Sequence, residues 1–188
     1  MDTLRAYEAS ANDYIQTDYP GVLCGDKRLA DNLLDVLRKF RVTHEDVRYI
    51  LLDYPRGWAL SQELDFAACL IATDNPCPDY LSALSELKPF GLLTTLSDYA
   101  IARALLRGHK EMPTLIPKLS PSERCTLKLA VNGLSNKQIA KARQTSPGVV
   151  ENCLSIIYRK LSLKSRVELA HYFYGNWHLL PDRKQDGE

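Results

Sequence analysis

Between Thr114 and Leu180, ten basic side chains (Lys118, Arg124, Lys128, Lys137, Lys141, Arg143, Arg159, Lys160, Lys164 and Arg166) stand against Glu123, Glu151 and Glu168, a net of +7 in a 188-residue chain whose total is only +1. The remainder holds 14 basic and 20 acidic residues and is net −6. The chemistry such a one-sided excess can do is hold a polyanion, and duplex DNA is the expected ligand; an acidic companion module stays off phosphate. Other chemistries lack residues in a workable arrangement. Cys24, Cys69, Cys77, Cys125 and Cys153 are odd in number and scattered, with no C-x-x-C and no histidine at zinc spacing. His44, His109, His171 and His178 are dispersed, no serine or cysteine is paired with a base, and no glycine-rich phosphate loop occurs. An enzyme, a metal centre and a bound cofactor are not expected. Cys125 and Cys153 read as small apolar fillers, and Cys77, between Pro76 and Pro78, as the one loop thiol worth testing for a redox role.

The elements that must position these cations are marked by serines. Ser120, Ser135, Ser146 and Ser165 each stand where a hydroxyl can cap a helix. Three of them have a glutamate or glutamine three residues on, Ser120 with Glu123, Ser135 with Gln138 and Ser165 with Glu168, the spacing of a reciprocal capping box. Pro121 and Pro147 fit the first turn, and Gly133 and Gly175 fit the left-handed stop. The predicted helices are 121–132, 136–143, 147–162 and 166–175, with Gln144, Thr145 and Ser146 as a short turn between the second and third. On the third, Val150, Cys153, Leu154, Ile157, Tyr158 and Leu161 form one apolar stripe for a core. Glu151, Asn152, Ser155, Arg159 and Lys160 lie on the other side.

The residues Gly133 to Ala140, GLSNKQIA, followed by Ile157, Lys160, Leu161, Ser165 and Arg166, resemble the LuxR-type helix-turn-helix of NarL/FixJ response regulators. The resemblance implies that the third helix enters the major groove with Glu151, Asn152 and Ser155 at base edges, and that Asn136, Lys137, Ser146, Arg159, Lys160, Lys164 and Arg166 meet phosphate. It also implies a homodimer, with Val167, Ala170, His171 and Tyr174 as candidate contacts on the fourth helix and Leu169 and Phe173 as core. The recognition helix departs from the common pattern: Val149 cannot donate to a phosphate, and Glu151 replaces a cation.

Ahead of this module the pattern alternates. Strands are expected at Val22–Cys24, Val47–Leu52, Ala67–Ala72 and Gly91–Thr95, and helices at Lys27–Phe40, Pro78–Leu87 and Ser97–Gly108. Buried apolar runs separated by helices indicate a parallel α/β sheet. The order resembles the receiver domain of the same regulators. That resemblance would place Asp53 at the phosphoacceptor position, Thr73 at the switch hydroxyl and Asp26 beside them. Only 27 residues separate Asp26 from Asp53, so one strand-helix unit is shortened or lost. The acidic pair that holds Mg²⁺ in the family is reduced to Asp26, and its lysine falls on Thr95. Ordinary aspartyl phosphorylation is therefore not expected.

The expected architecture is an N-terminal helical extension (1–20, with Leu4, Tyr7, Ala11, Tyr14 and Ile15 at helical spacing), a shortened flavodoxin-like receiver α/β domain (21–108), a linker with Pro113 and Pro117 (109–118), an all-α four-helix DNA-binding domain (119–180) and a polar tail (181–188). No run of about 18 apolar residues exists, so no membrane partner is expected, and the opening MDTLRAYEAS lacks signal-peptide order, so a cytoplasmic location is. The expected function is a DNA-binding transcriptional regulator, with a regulatory protein as a second possible partner of the receiver-like domain. The alternatives are an interaction adaptor with weakened DNA binding and a conventional regulator phosphorylated on Asp53.

Overall fold

Four parallel strands form one sheet in the computed structural model, whose described residues are 19–108, 112–113 and 116–180. Strands β1 (Gly21–Cys24), β2 (Tyr49–Leu52), β3 (Cys69–Ala72) and β4 (Gly91–Leu93) lie side by side in chain order. Gly21 pairs with Tyr49, Tyr49 with Cys69, and Leu70 with Gly91. β3 and β4 are buried along their whole length, which is why they read as unbroken apolar runs, whereas every residue of the edge strand β1 is half-buried. The four-strand order fits the loss of a strand-helix unit expected from the short Asp26–Asp53 spacing. Helix α1 (Lys27–Phe40) joins β1 to β2 and starts on the Asp26 carboxylate, which accepts from the Arg28 amide. The β2–β3 connection has no α-helix, only single 3-10 turns at Ala59–Ser61 and Phe66–Ala68.

The other two helices of this domain lie on opposite faces. Helix α3 (Asp98–Leu106) joins α1 over one face, where Leu33, Leu37, Ile50, Leu52, Leu70, Ile101 and Leu105 make a core. Helix α2 (Pro78–Ser85) covers the other face, where Leu51, Ile71, Leu92, Tyr80 and Leu84 meet. This second core does not stop at the domain boundary. It continues into Leu119, Leu127, Ile139, Val150, Leu154, Ile157, Leu161, Leu169, Tyr172 and Phe173 of the C-terminal helices.

Those helices are α4 (Pro121–Val131), α5 (Asn136–Ala142), α6 (Pro147–Leu161) and α7 (Arg166–Phe173). The local signals explain their bounds. Ser120 with Glu123 and Ser135 with Gln138 close full capping boxes, and Pro121 and Pro147 sit in first turns. Ser165 also caps, accepting from the Glu168 amide, but the Glu168 carboxylate takes the Lys164 amide at 2.9 Å, one residue before the cap, so the reciprocal bond expected there is displaced. Gly133 and Gly175 follow α4 and α7 with positive φ. Between α5 and α6 the turn is closed by Gln144 in the left-handed region and by the Thr145 amide on the Ala140 carbonyl. The helix expected over residues 1–20 falls almost wholly outside the described residues, and so do the tail 181–188 and part of the linker.

Candidate nucleic-acid interface

Helix α6 presents its apolar stripe inward as its periodicity requires. Val150, Leu154, Ile157 and Leu161 are buried, and Cys153 and Tyr158 pack at the margin. At 100° per residue, Gly148, Asn152, Ser155 and Arg159 therefore fall along the outward midline, with Val149 on one flank and Glu151 on the other. All six are exposed. Val149 has 54% of its surface open to solvent, a large figure for an apolar side chain. The Ser155 hydroxyl donates to the Glu151 carbonyl at 3.0 Å, and Glu151 makes no ion pair with the described residues.

The residues expected at phosphate divide into two groups. Lys137, Ser146, Arg159 and Lys164 are exposed. Ser146 also accepts from the Val149 amide and so starts α6. The other three are held by the domain itself. Lys160 is 2.8 Å from Glu123, and Arg166 donates to the Leu134 carbonyl at 2.7 Å and to the Asn136 side chain. Arg166 thus fastens the start of α7 to the loop before α5. Arg143 donates to Ser122 at 2.7 Å and to Thr126.

The candidate dimer residues are also split. Val167 is 65% exposed, whereas Ala170 and His171 are half-buried. Tyr174 packs within the chain, its ring 6.3 Å from that of Tyr80 and its hydroxyl donating to Asn132. Leu169 and Phe173 are core, as expected.

Asp53, Thr73 and Tyr80 converge at the end of the sheet. Asp53 is 0% exposed. One carboxylate oxygen accepts from the Gly57 and Ala59 amides at 3.2 and 2.9 Å, the other from the Thr73 and Tyr80 hydroxyls, both at 2.8 Å. Burial pushes the Asp53 carboxyl above its ordinary pKa, and the four donors recover only part of that. Asp26 is committed to its capping bond, which holds its carboxyl below the ordinary value, and Thr95 accepts from the Ser97 amide. Among the described residues no group of three or more His, Cys, Asp or Glu side chains is placed to hold a metal ion.

Sequence reasoning did not find what joins the two domains. The Tyr172 hydroxyl and the Leu119 amide both donate to Asp79, which is fully buried on α2. Asn75 donates to the Phe173 carbonyl at 3.1 Å, and Arg56 clamps Asp74 and reaches the Gly175 carbonyl at 2.8 Å. Arg124 and Lys128 of α4 share Glu86. At Gly175, φ is +70° and a Cβ would lie 2.7 Å from both Asn75 and Pro76, so no other residue fits the seam. Cys77 was expected in a loop. It is instead fully buried at the start of α2, and desolvation pushes its thiol up to about 11, so it is protonated and shielded at neutral pH. Cys125, expected as filler, is exposed, while Cys153 lies against Thr126 at 3.3 Å.

Comparison with known proteins places the helical module. The profile of the family described as "Bacterial regulatory proteins, luxR family" matches residues 117–173. A putative HTH-type transcriptional regulator of Mycobacterium tuberculosis is 44% identical over 76 residues, 39% of this chain and 9% of that protein. The nitrate/nitrite response regulator protein NarL of Escherichia coli is 31% identical over 93 residues, 49% of this chain and 43% of NarL. This chain thus matches less than half the length of either. A structure of RcsB from Salmonella enterica serovar Typhimurium bound to promoter rprA aligns over 82% of this chain and 98% of that one, with a TM-score of 0.42 and 18% identity. Residues 117–173 thus match the helix-turn-helix of the luxR family, and in this chain they follow an α/β domain built on a four-stranded parallel sheet.

Proposed function

We propose that this chain is a sequence-specific DNA-binding regulator of transcription that acts as a homodimer, with α6 in the major groove and control exerted on the receiver-like domain by protein contact or another signal. The observation that carries this reading is the outward face of α6. In a luxR-family domain, Asn152, Ser155, Glu151 and Val149 stand free of the receiver-like domain, with Lys137, Arg159 and Lys164 exposed around them. Asp53, sealed and fully hydrogen-bonded, supports control without ordinary aspartyl phosphorylation and weighs against the conventional phosphorylated regulator. An adaptor that has abandoned DNA would have no use for exposed cations at these places. Immunoprecipitation of the protein with its genomic DNA, alongside the mass of the particle in size-exclusion chromatography, tests the reading. Discrete enriched sites and a dimer mass are expected; uniform recovery of the genome would reject it.

A further inference from the structure

The outward face of α6 lacks cations for three turns. From Pro147 to Tyr158 there is no lysine or arginine, and the first cation on the helix is Arg159. What faces outward before it is Gly148, Val149, Glu151, Asn152 and Ser155, all exposed. Glu151, which makes no ion pair among the described residues, turns a carboxylate outward, a group of acceptors. The Ser155 hydroxyl hydrogen is already given to the Glu151 carbonyl, so this side chain too turns lone pairs outward. Val149 offers a methyl surface. Asn152 alone combines a donor and an acceptor.

Base pairs expose different partners for such a surface. In the major groove guanine presents two acceptors, O6 and N7, and is read by donors, most often arginine or lysine. Cytosine presents the N4 amino group, adenine the N6 amino group beside N7, and thymine its methyl group. We propose that the first turns of α6 select DNA by exocyclic amino groups, with Glu151 and Ser155 accepting from cytosine N4 or adenine N6, Asn152 bridging adenine, and Val149 against a thymine methyl, and that these positions leave guanine unread. This rests on the placement of α6 in the major groove given above. Arg159, at the far end of the face, belongs with the phosphate-binding cations, where charge needs no base.

Selection of the intact chain on a random duplex pool tests the assignment. The side chains changed are exposed, so the variants keep the core. The expected half-site has cytosine or adenine where Glu151 and Asn152 reach, and a thymine whose replacement by uracil weakens binding. Glu151→Ala should lose a preference of roughly 5- to 150-fold at one position of each half-site and leave the others unchanged. Glu151→Arg should turn that position to guanine. The assignment is overturned if replacing guanine under α6 by 7-deazaguanine, which removes the N7 acceptor without adding bulk, weakens binding by the native chain, or if Glu151→Ala selects the native site unaltered. Binding to duplexes with no sequence enriched would overturn it while leaving DNA binding in place. A chain that binds no duplex at all would remove both.

Discussion

Asp53, which the resemblance to a receiver domain would place at the phosphoacceptor position, is enclosed by its own neighbours. A carboxylate that is to attack a phosphodonor needs an oxygen open to solvent and cations to meet the incoming charge. Here the oxygens are covered by Gly57, Ala59, Thr73 and Tyr80, and Asp26, which the resemblance would set beside it, is capping a helix. Incubation with a small phosphodonor should therefore leave the mass of the intact protein unchanged, and a stable phosphoryl group on Asp53 would contradict this. The position of Asp53 at the end of its strand was readable from the run Tyr49 to Leu52, because an apolar strand ending in an acid is a local pattern. Its burial was not readable. The bond from Tyr80 crosses 27 residues, and the cover belongs to a helix whose own sequence, PDYLSALS, gives no hint that its tyrosine points at an acid.

At the scale of the element, helix bounds were legible where caps are local. The bonds at Ser120, Ser135 and Ser146 join residues three apart, so they can be read from spacing alone. The displaced partner of Glu168 marks the limit of that reading: the acid is at the right spacing, but it bonds the amide of Lys164. The β2–β3 connection, built of isolated 3-10 turns, has no periodicity to read. Helix α6 carries a residue that its fold does not explain. A Cβ built on Gly148 would meet nothing within 4 Å, and the residue lies in the first turn at the centre of the outward face. Gly148→Ala should raise the stability of the free protein by up to about 1 kcal/mol and weaken DNA binding, because the added methyl stands between the helix start and the groove. A thermal melt and a duplex titration on the same preparation check both halves. Unaltered binding would mean that the first turn does not approach DNA closely.

For the whole molecule, the consequential feature is that the two domains share a core. The sequence reads 109–118 as a linker with Pro113 and Pro117, but Tyr172 and Asp79, 93 residues apart, bond across the seam, and Phe173 meets Tyr80 at 5.1 Å in an edge-to-face contact. No local pattern encodes such pairs. The rim of the seam is ionic. Burial pushes the Glu86 carboxyl up, but bonding and charge from Lys128 and then Arg124 outweigh it, and its pKa is below the ordinary value. A lowered folded pKa stabilises above the unfolded value, and that contribution is lost as pH falls through the folded one. Glu86 is 43% exposed, so the effect is no more than about 1 kcal/mol. Glu86→Gln should cost that amount at neutral pH and show a flatter loss of stability between about pH 5 and pH 3 than the native chain; parallel curves would place the acid sensitivity elsewhere.

The docked arrangement leaves the outward side chains of α6 exposed, the face proposed above to meet DNA. The most direct test of this is a titration of the intact chain with duplex DNA at several salt concentrations, with Glu151→Lys beside it. If α6 lies in the groove, the added cation strengthens binding to arbitrary duplex and steepens the salt dependence by about one phosphate contact. Identical curves for the two proteins would show that Glu151 does not face DNA, and would contradict the account.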